Sequence, residues 1–462
     1  MRFQILSTAL QNNKFIISEN VSNDENLYTL ITGKNGLGKT RLLNFIIYHF
    51  IKDTYRNSYY KNDQDIDIFK KITDYQIHST IIPNKIIVHT NSKFDKFPDD
   101  YQANTKNYIN INKSYGYSDG DSIFHKILFG KNLNFKSVNE TLSYLNYTSV
   151  INFDLSLKSA SSSAGYLEKM VKEYNLILKE LNYDLNKSPQ KYNKYNKKFL
   201  NLLFLFHERK TRIPTIDELK ILYDLIAHKR IYDYPLGASV NLKENKYSYS
   251  YLDKHEFLLL AKYNLITIYS IYLHNNSNNS LFSSTKEEVS FYNLSSGQKS
   301  IINTLLGISS VIENNSLVCI DEPEISLHPE WQEEIIQKLQ EVFFETKGCH
   351  FLIATHSPQV VSGLKSKNGF ILDLENNITY KSIDYSKKSA DYQLAKIFNS
   401  PGYNNEYILK LCFYFLSIIK DDKSISEVDI ELLQELDNFK ENLKTDDPSL
   451  YLIKQVQSFL GR

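Results

Sequence analysis

The sequence feature that most constrains this chain is an eight-residue motif that fits the pattern G-x-x-x-x-G-K-S/T: Gly33-Lys34-Asn35-Gly36-Leu37-Gly38-Lys39-Thr40. It lies between a strand-like apolar run, residues 27–32, and a helix-like run, residues 41–50. This order predicts a loop whose backbone N–H groups, together with a helix N-terminus, bind phosphate. Lys39 is expected to reach the β and γ phosphates, and the Thr40 hydroxyl to bind Mg²⁺.

The rest of this loop and the first helical turn supply further candidate contacts. The glycines let the backbone approach a phosphate closely, which a side chain would prevent. An ordinary glycine-rich turn is the alternative, and the strand before the loop and the helix after it disfavour that alternative. We therefore assign binding of a nucleoside triphosphate to the neighbouring residues as well: Asn35, Gly36, Gly38 and Arg41.

Composition limits the location and the partners of the chain. Net charge is +1, from 54 basic and 53 acidic residues, so any contact with nucleic acid must come from a local patch. The three cysteines have no paired or metal-type spacing, as expected of thiols in a reducing cytosol. We find no signal-peptide pattern, and the apolar run 407–419 is interrupted by Lys410 and too short to span a membrane. We expect a cytoplasmic protein without a membrane partner.

The order of strand-like and helix-like runs predicts an α/β fold. Residues 1–99 and 286–385 alternate between the two patterns, which is typical of a mostly parallel sheet with flanking helices. Residues 100–285 are predicted to be a mainly helical insertion, with helices at 165–185, 192–206 and 215–230. Residues 386–462 are predicted to form a helical C-terminal region.

Two further strand ends carry polar residues. The apolar run 316–320 ends at Asp321 and Glu322, where Asp321 can hold Mg²⁺ and Glu322 can polarise the attacking water. A solvated turn is the other interpretation of paired acids, but the upstream phosphate loop favours a metal site. The run 350–355 ends at His356.

A fourth motif, Leu294-Ser295-Ser296-Gly297-Gln298, resembles the LSGGQ signature of ABC-type ATPases, with Ser296 in place of the first glycine. The resemblance implies an ABC-type ATPase head and a head-to-tail homodimer or higher oligomer. In that arrangement Ser295, Ser296, Gly297 and Gln298 of one copy close over ATP bound by Lys39 of another. It also implies that His356 is the switch histidine, which senses the γ-phosphate and acts in catalysis with Glu322.

The residues after Asp321 narrow the resemblance. The stretch 321–329 contains Leu-His-Pro where transporters usually carry Leu-Asp, and it is similar to OLD-like and RecF/RecN-like ABC ATPases of DNA repair and phage defence. Trp331 is expected to pack its helix onto the sheet. At the position of the glutamine loop the chain has Asn91 and Ser92, and either could reach the metal water or the phosphate.

The phrases 90–97, 390–398 and 401–406 resemble the PtuA family, the ATPases of Septu and retron-associated anti-phage systems. The resemblance implies a PtuB-like HNH nuclease as partner, bound through residues 386–462, and in retron forms a reverse transcriptase with its RNA–DNA hybrid. The chain itself has no D-x-D strand motif after residue 365, no H-x-x-H and no C-x-x-C pair, in agreement with a separately encoded nuclease.

Other interpretations remain open at this stage. Lysines and tyrosines alternate in residues 191–198, a pattern that suits DNA contact or, alternatively, a solvated helix face. A RecF/RecN-like repair or recombination ATPase stimulated by DNA is the alternative function. The large insertion and the Leu-His-Pro variant disfavour a transporter ATPase.

Overall fold

The computed structural model describes most of the chain in fifteen stretches: residues 2–10, 13–21, 24–55, 77–92, 96–98, 107–112, 121–129, 133–157, 215–227, 231, 234–263, 265–276, 288–421, 424 and 426–460. The chain divides into two compact units. The first unit contains residues 1–123 and 295–462, and the second contains residues 124–294.

The strands of the described residues are, in chain order, β1 Ile5–Leu10, β2 Asn13–Ile16, β3 Leu27–Thr32, β4 Ile77–Ser79, β5 Lys85–Thr90, β6 Tyr108–Asn110, β7 Tyr147–Leu157, β8 Leu236–Asn241, β9 Lys246–Ser250, β10 Ile266–Asn275, β11 Glu288–Ser290, β12 Ser316–Asp321, β13 His350–Ala354, β14 Gly369–Asp373 and β15 Ile378–Lys381.

The α-helices are α1 Lys39–Tyr55, α2 Asp121–Phe129, α3 Phe135–Tyr144, α4 Ile216–Ala227, α5 Lys254–Lys262, α6 Ser296–Ser309, α7 Pro329–Val342, α8 Pro358–Gly363, α9 Ser382–Tyr385, α10 Ala390–Lys396, α11 Glu406–Lys420, α12 Glu427–Lys440 and α13 Pro448–Phe459. Among these described helices, none combines the length and the apolar character needed to cross a membrane.

The first unit is built on a seven-stranded sheet in the order β15-β14-β3-β13-β12-β5-β6. Each strand from β14 to the β6 edge of the sheet pairs in parallel with the next one in this order. Strand β15, at the other edge, pairs antiparallel with β14. Helices cover this sheet, so β3, β12 and β13 are buried along their whole length and read as continuous apolar runs. The α/β fold predicted from the sequence is confirmed.

The register of this sheet brings four chain segments to one edge. Ile31 pairs with Ala354, Ala354 with Asp321, and Asp321 with Thr90. Because these strands are parallel, the loops that follow them leave the sheet side by side. The phosphate-loop motif, His356, Glu322 and Asn91 therefore all lie at the carboxyl edge of the sheet.

The core of the first unit agrees with the helix periodicity in the sequence. The helix after the phosphate loop carries apolar residues at the spacing of one helix face, and these are buried in one cluster with residues of β5, β12 and β13: Leu42, Leu43, Ile46 and Ile47. A second antiparallel sheet, in the order β2-β1-β4, contributes Ile5 and other side chains to the same cluster. The three cysteines are free and buried.

The C-terminal part of the first unit is helical, as predicted. Helices α10, α11, α12 and α13 share a buried cluster of their own: Ala395, Ile408, Cys412, Phe415, Ile418, Leu433, Leu436, Phe439, Ile453 and Val456. Ser426 begins α12 with a capping box to Asp429, and Pro448 occupies the first turn of α13. These local signals explain why the helices begin where they do.

The second unit differs from the mainly helical insertion that we expected for residues 100–285. Its described residues form a five-stranded antiparallel sheet in the order β11-β10-β7-β8-β9, together with helices such as α3, α4 and α5. Strands β8 and β9 alternate between more and less buried side chains, and that period of two is typical of a half-buried strand. In β9 tyrosines occupy the more buried positions and lysine and serines the exposed ones. Because tyrosine is less apolar than an aliphatic residue, the contrast in the sequence is weak and the alternation was missed.

The helices predicted in this region have separate outcomes. Helix α4, Ile216–Ala227, lies inside the predicted segment 215–230. The predicted helices 165–185 and 192–206, and the lysine and tyrosine pattern at 191–198, lie outside the described residues.

Candidate functional site

The phosphate-loop motif connects β3 to α1, the strand–loop–helix setting that the sequence predicts. Gly36 and Gly38 have φ values of 83° and 94°, a region that side chains other than glycine rarely adopt. Asn35 and Gly36 are exposed in the loop, Gly38 precedes α1, and Arg41 lies partly exposed in its first turn. The loop therefore presents its backbone at the N-terminus of a 17-residue helix.

Lys39 is buried at the centre of the site, with only 5% of its surface exposed. Its Nζ donates to the carbonyl oxygens of Gly33 at 2.8 Å and Lys34 at 3.3 Å, and lies 3.1 Å from Nδ1 of His356. Burial lowers the pKa of Lys39 to about 8, against a smaller opposing effect of nearby carboxylates. The Lys39 ammonium group thus lies between carbonyl oxygens of the loop and the ring of His356.

Thr40 and Asp321 are in direct contact, since the Thr40 hydroxyl donates to Oδ2 of Asp321 at 2.8 Å. Oδ1 of Asp321 is buried and has no hydrogen-bond partner among the described residues. Burial raises the pKa of this carboxyl to about 6. A desolvated carboxylate oxygen beside a threonine hydroxyl suits a hard divalent cation, so these two residues fit Mg²⁺.

Glu322 follows Asp321 with an unusual backbone conformation. Its φ is 52°, although it is not glycine, and its N–H donates to the carbonyl oxygen of Ala354 at 2.9 Å. Positive φ in such a residue costs on the order of 1–3 kcal/mol and persists only where the surroundings hold it, often at functional sites. The conformation marks Glu322 as a residue with a constrained backbone at the sheet edge.

His356 is held by a carboxylate that we did not identify from the sequence. Its backbone N–H donates to Oε1 of Glu324 at 2.7 Å. Oε2 of Glu324 is buried without a hydrogen-bond partner among the described residues, and burial raises the pKa of this carboxyl. Burial, and secondarily the Lys39 charge, lower the pKa of His356 to about 4. The sequence signal that could have identified Glu324 was the second glutamate of the stretch Asp-Glu-Pro-Glu.

The glutamine-loop candidates lie at the end of β5, beside the Asp321 strand. The side chain of Asn91 donates from Nδ2 to the carbonyl oxygen of Pro323 at 2.9 Å, and its N–H donates to the carbonyl oxygen of Asp321 at 3.4 Å. The Ser92 N–H donates to Oγ1 of Thr90 at 3.0 Å. Asn91 therefore contacts the loop that carries Glu322.

The signature residues begin α6. Ser295 is the N-cap in a capping box with Gln298, and Ser295, Ser296 and Gln298 are exposed. Their hydrogen bonds, within the part of the chain that the structure describes, do not reach Lys39, Thr40 or Asp321. The capping box thus defines the first turn of α6, in which the signature residues lie.

Position 297 has no room for a side chain, because Trp331 of α7 packs against it. A Cβ at this position would lie 2.9 Å from the Trp331 ring and 3.0 Å from the carbonyl oxygen of Ser326. Trp331 was expected to pack its helix onto the sheet, but the contact that the structure shows is with the first turn of α6. The tryptophan thus packs directly beneath the signature.

The phosphate loop has an ion pair that the sequence did not reveal. Nζ of Lys34 lies 2.6 Å from Oε1 of Glu375, in the turn between β14 and β15. Gly33 also faces this turn, because a Cβ on it would lie 3.5 Å from Leu374. The turn supports one side of the loop, and the 341 residues between the partners explain why no local pattern indicates it.

Comparisons with known proteins agree with this geometry. The family model AAA_21, described as "AAA domain, putative AbiEii toxin, Type IV TA system", matches residues 28–362. The "Retron Vc95 probable ATPase" of Vibrio cholerae serotype O1 biovar El Tor is 32% identical over 152 residues, 29% of this chain and 28% of that protein. The "Retron Ec83 probable ATPase" of Escherichia coli is 37% identical over 95 residues, 18% of this chain and 17% of that protein.

These matched stretches cover less than a third of the length of either relative. Among solved structures, Stu0660 of Streptococcus thermophilus aligns over 98% of this chain and 99% of its own, at 12% identity and a TM-score of 0.32.

Proposed function

The chain belongs to the AAA_21 family of AAA ATPase domains, and from that premise we propose that it hydrolyses ATP in head-to-tail dimers and so regulates a separately encoded nuclease in anti-phage defence. One observation carries the proposal. Lys39, the Thr40–Asp321 pair and His356 meet at one edge of the sheet, where phosphate, metal and γ-phosphate sensor are each required.

Each residue has a distinct role in binding the substrate ATP. The N–H groups of the loop 34–38 and the N-terminus of α1 attract the phosphates, and Lys39 neutralises their charge. Asn35, Gly36, Gly38 and Arg41 line the same loop and are assigned to nucleotide binding. Thr40 and Asp321 would hold Mg²⁺, which would supply positive charge against that of the phosphates.

Hydrolysis is assigned to Glu322 and His356. Glu322 accepts a proton from the attacking water, and its constrained backbone limits the directions that the carboxylate can take. His356 contacts the γ-phosphate, and its hydrogen bond with Lys39 keeps the imidazole ring near the loop. Because His356 is neutral in this environment, it contributes a hydrogen bond and not a second positive charge.

The dimer is supported by the position of the signature. Ser295, Ser296 and Gln298 are exposed at the N-terminus of a 14-residue helix, which can attract phosphate, yet their hydrogen bonds do not reach the phosphate loop of their own chain. The ATP that they bind is therefore assigned to a second copy. Binding of ATP between copies favours the dimer by mass action.

The biological setting is proposed from the relatives. Two of them are named retron ATPases, and a retron context supplies a reverse transcriptase and its RNA–DNA hybrid as partners. We assign a PtuB-like HNH nuclease as the regulated effector and residues 386–462 as its binding region. The supporting features are the PtuA-like phrases and the helical C-terminal core.

The test is purification of the tagged chain, alone and with its neighbouring genes, followed by ATPase assays and light scattering. We expect ATP-dependent dimers, hydrolysis that the Lys39→Ala variant loses, and a trapped ATP-bound dimer for Glu322→Gln. Co-purification of a nuclease whose cutting changes with ATP would support the effector role. A lone dimer whose hydrolysis is stimulated by DNA would favour the RecF/RecN-like repair ATPase instead.

A further inference from the structure

A buried histidine connects the helix that begins with the signature to the loop that carries Glu322. His89 lies near the end of β5 and is 2% exposed. Its Nε2 lies 2.9 Å from Oγ1 of Thr304, on α6, and 3.0 Å from Oδ1 of Asn91. None of the nucleotide-binding motifs includes this histidine.

The direction of these hydrogen bonds follows from their neighbours. Asn91 donates from Nδ2 to the carbonyl oxygen of Pro323 at 2.9 Å, which fixes the amide so that Oδ1 faces His89. The Thr304 hydroxyl donates its proton to the carbonyl oxygen of Ser300 at 2.8 Å. Both oxygens that face Nε2 are therefore acceptors, and Nε2 carries the hydrogen that bridges them.

The hydrogen bonds from Thr304 through His89 and Asn91 to Pro323 form a relay. Its end at Pro323 restrains the backbone of Glu322. Pro323 directly follows Glu322, whose φ of 52° is costly for a residue other than glycine. Asn91 holds both sides of that residue, through its N–H to the carbonyl oxygen of Asp321 and its Nδ2 to that of Pro323. Two backbone hydrogen bonds of Glu322 itself add to this restraint: its N–H donates to the carbonyl oxygen of Ala354 at 2.9 Å, and its carbonyl oxygen accepts from the Ile325 N–H at 3.2 Å.

We propose that His89 is a positioning residue that, through Asn91, sets the direction of Glu322 and joins it to α6. The inference rests on the proposed function, which makes Glu322 the base. Three hydrogen bonds carry the connection: Thr304 to His89, His89 to Asn91, and Asn91 to Pro323. A shift of α6, when the signature binds the ATP of a second copy, is transmitted to Glu322 along this route.

The first experiment measures steady-state hydrolysis by His89→Leu, which removes the donor, and His89→Gln, which supplies an amide N–H in its place. We expect His89→Leu to lower kcat by about 10- to 100-fold, because small displacements of a catalytic group are costly. KM should change by no more than about twofold, because the nucleotide contacts are retained. His89→Gln should recover most of kcat.

The matched control is His350→Leu, which replaces another buried histidine of the same sheet. His350 begins β13, at the opposite end of the strands, where it bonds the Ile5 N–H at 3.1 Å and Oγ1 of Thr29 at 3.0 Å. It should lower stability but retain the wild-type kcat per folded molecule. Asn91→Leu breaks the same relay at a less buried position. If His89→Leu does not fold, the kcat of Asn91→Leu tests whether the relay positions Glu322.

A second readout separates positioning from a general packing defect. The folded His89→Leu protein should bind ATP and accumulate as a dimer in light scattering, as Glu322→Gln does, because hydrolysis is the step it loses. Wild-type kcat in His89→Leu, or equal losses in His89→Leu and His350→Leu, would overturn the inference while leaving the proposed function intact. An inactive wild type would overturn the proposed function and this inference with it.

Discussion

Nζ of Lys39 lies 3.1 Å from Nδ1 of His356, although 317 residues separate them in sequence. An ammonium group only donates hydrogen bonds, so Nδ1 of His356 accepts and the ring proton resides on Nε2. Burial and the adjacent positive charge lower the pKa of His356 to about 4. Between pH 5 and pH 7 the pair therefore carries one positive charge, on Lys39.

The first prediction concerns ATP affinity at alkaline pH. Burial lowers the pKa of Lys39 to about 8, so the lysine loses its proton as the pH rises through 8. A neutral Lys39 attracts phosphate weakly, and the dissociation constant should rise about tenfold between pH 7 and pH 9. Titration with a fluorescent ATP analogue measures this. Lys39→Arg keeps its charge and should bind equally at both pH values; a parallel decline would assign the titration to another group.

The second prediction concerns Asp321→Asn. Burial raises the pKa of Asp321 from 3.8 to about 6. Between these values the folded protein binds more protons than the unfolded chain, so the ligand-free protein loses stability as the pH rises through this window. Asparagine removes that cost, while its carbonyl oxygen still accepts from Thr40.

We expect Asp321→Asn to increase the free energy of unfolding at pH 7.5 by about 1–3 kcal/mol and to abolish Mg²⁺-dependent hydrolysis. Thermal melts at pH 4 and pH 7.5 test the first part, because the difference between variant and wild type should vanish at pH 4. A variant less stable than the wild type at pH 7.5 would contradict the burial argument.

The third prediction uses the single tryptophan as a reporter. Trp331 packs against Gly297, so a change at the signature alters the environment of its indole ring. ATP should shift the tryptophan emission of the wild type and of Glu322→Gln, but not that of Lys39→Ala. Emission that is unchanged in Glu322→Gln at concentrations where light scattering detects the dimer would contradict contact at the signature.

The same contact predicts the effect of Gly297→Ala. The new methyl group would approach the Trp331 ring and the Ser326 carbonyl at about 3 Å, closer than such atoms normally pack. We expect a loss of about 1–3 kcal/mol in stability, as in other overpacked sites. Trp331→Leu should relieve part of that loss in the double variant, which a double-mutant cycle of melting curves can measure.

The fourth prediction compares two replacements of Glu324. In the wild type the His356 N–H donates to Oε1 of Glu324 at 2.7 Å. Glutamine keeps an acceptor oxygen for this N–H, whereas alanine removes it. Glu324→Gln should retain hydrolysis within about threefold, and Glu324→Ala should lose about tenfold or more in kcat. Equal activity of the two variants would show that the hydrogen bond to His356 does not matter for turnover.

Much of the first unit could be predicted from the sequence because its central strands are buried on both faces. Strands β3 and β12 are continuous apolar runs, and they end within a residue of where the sequence analysis ended them. Parallel pairing then places the residues that follow them at one edge. The meeting of Thr40 with Asp321 follows from that geometry alone.

The contacts that were missed depend on pairs that are distant in sequence. Lys34 and Glu375, the first exposed and the second partly buried, are polar residues of ordinary loops. His89 is one histidine in a strand until its distance to Thr304 is known. The sheet of the second unit was missed because, in β9, tyrosine and not an aliphatic residue alternates with the exposed serines, which weakens the apolar–polar contrast. The functional roles assigned to the site residues stay predictions until the variants are measured.

The order of strands in the first unit also has a consequence for synthesis of the chain. Strand β3 pairs with β13 and β14, which begin at residues 350 and 369. At roughly 5–20 residues per second, the ribosome needs on the order of 15 to 65 s to make the first of these partners after β3. Throughout that time both edges of an apolar strand are unpaired, and such edges attract other chains. The segment just before the phosphate loop is therefore the part of the nascent chain that most needs shielding by chaperones.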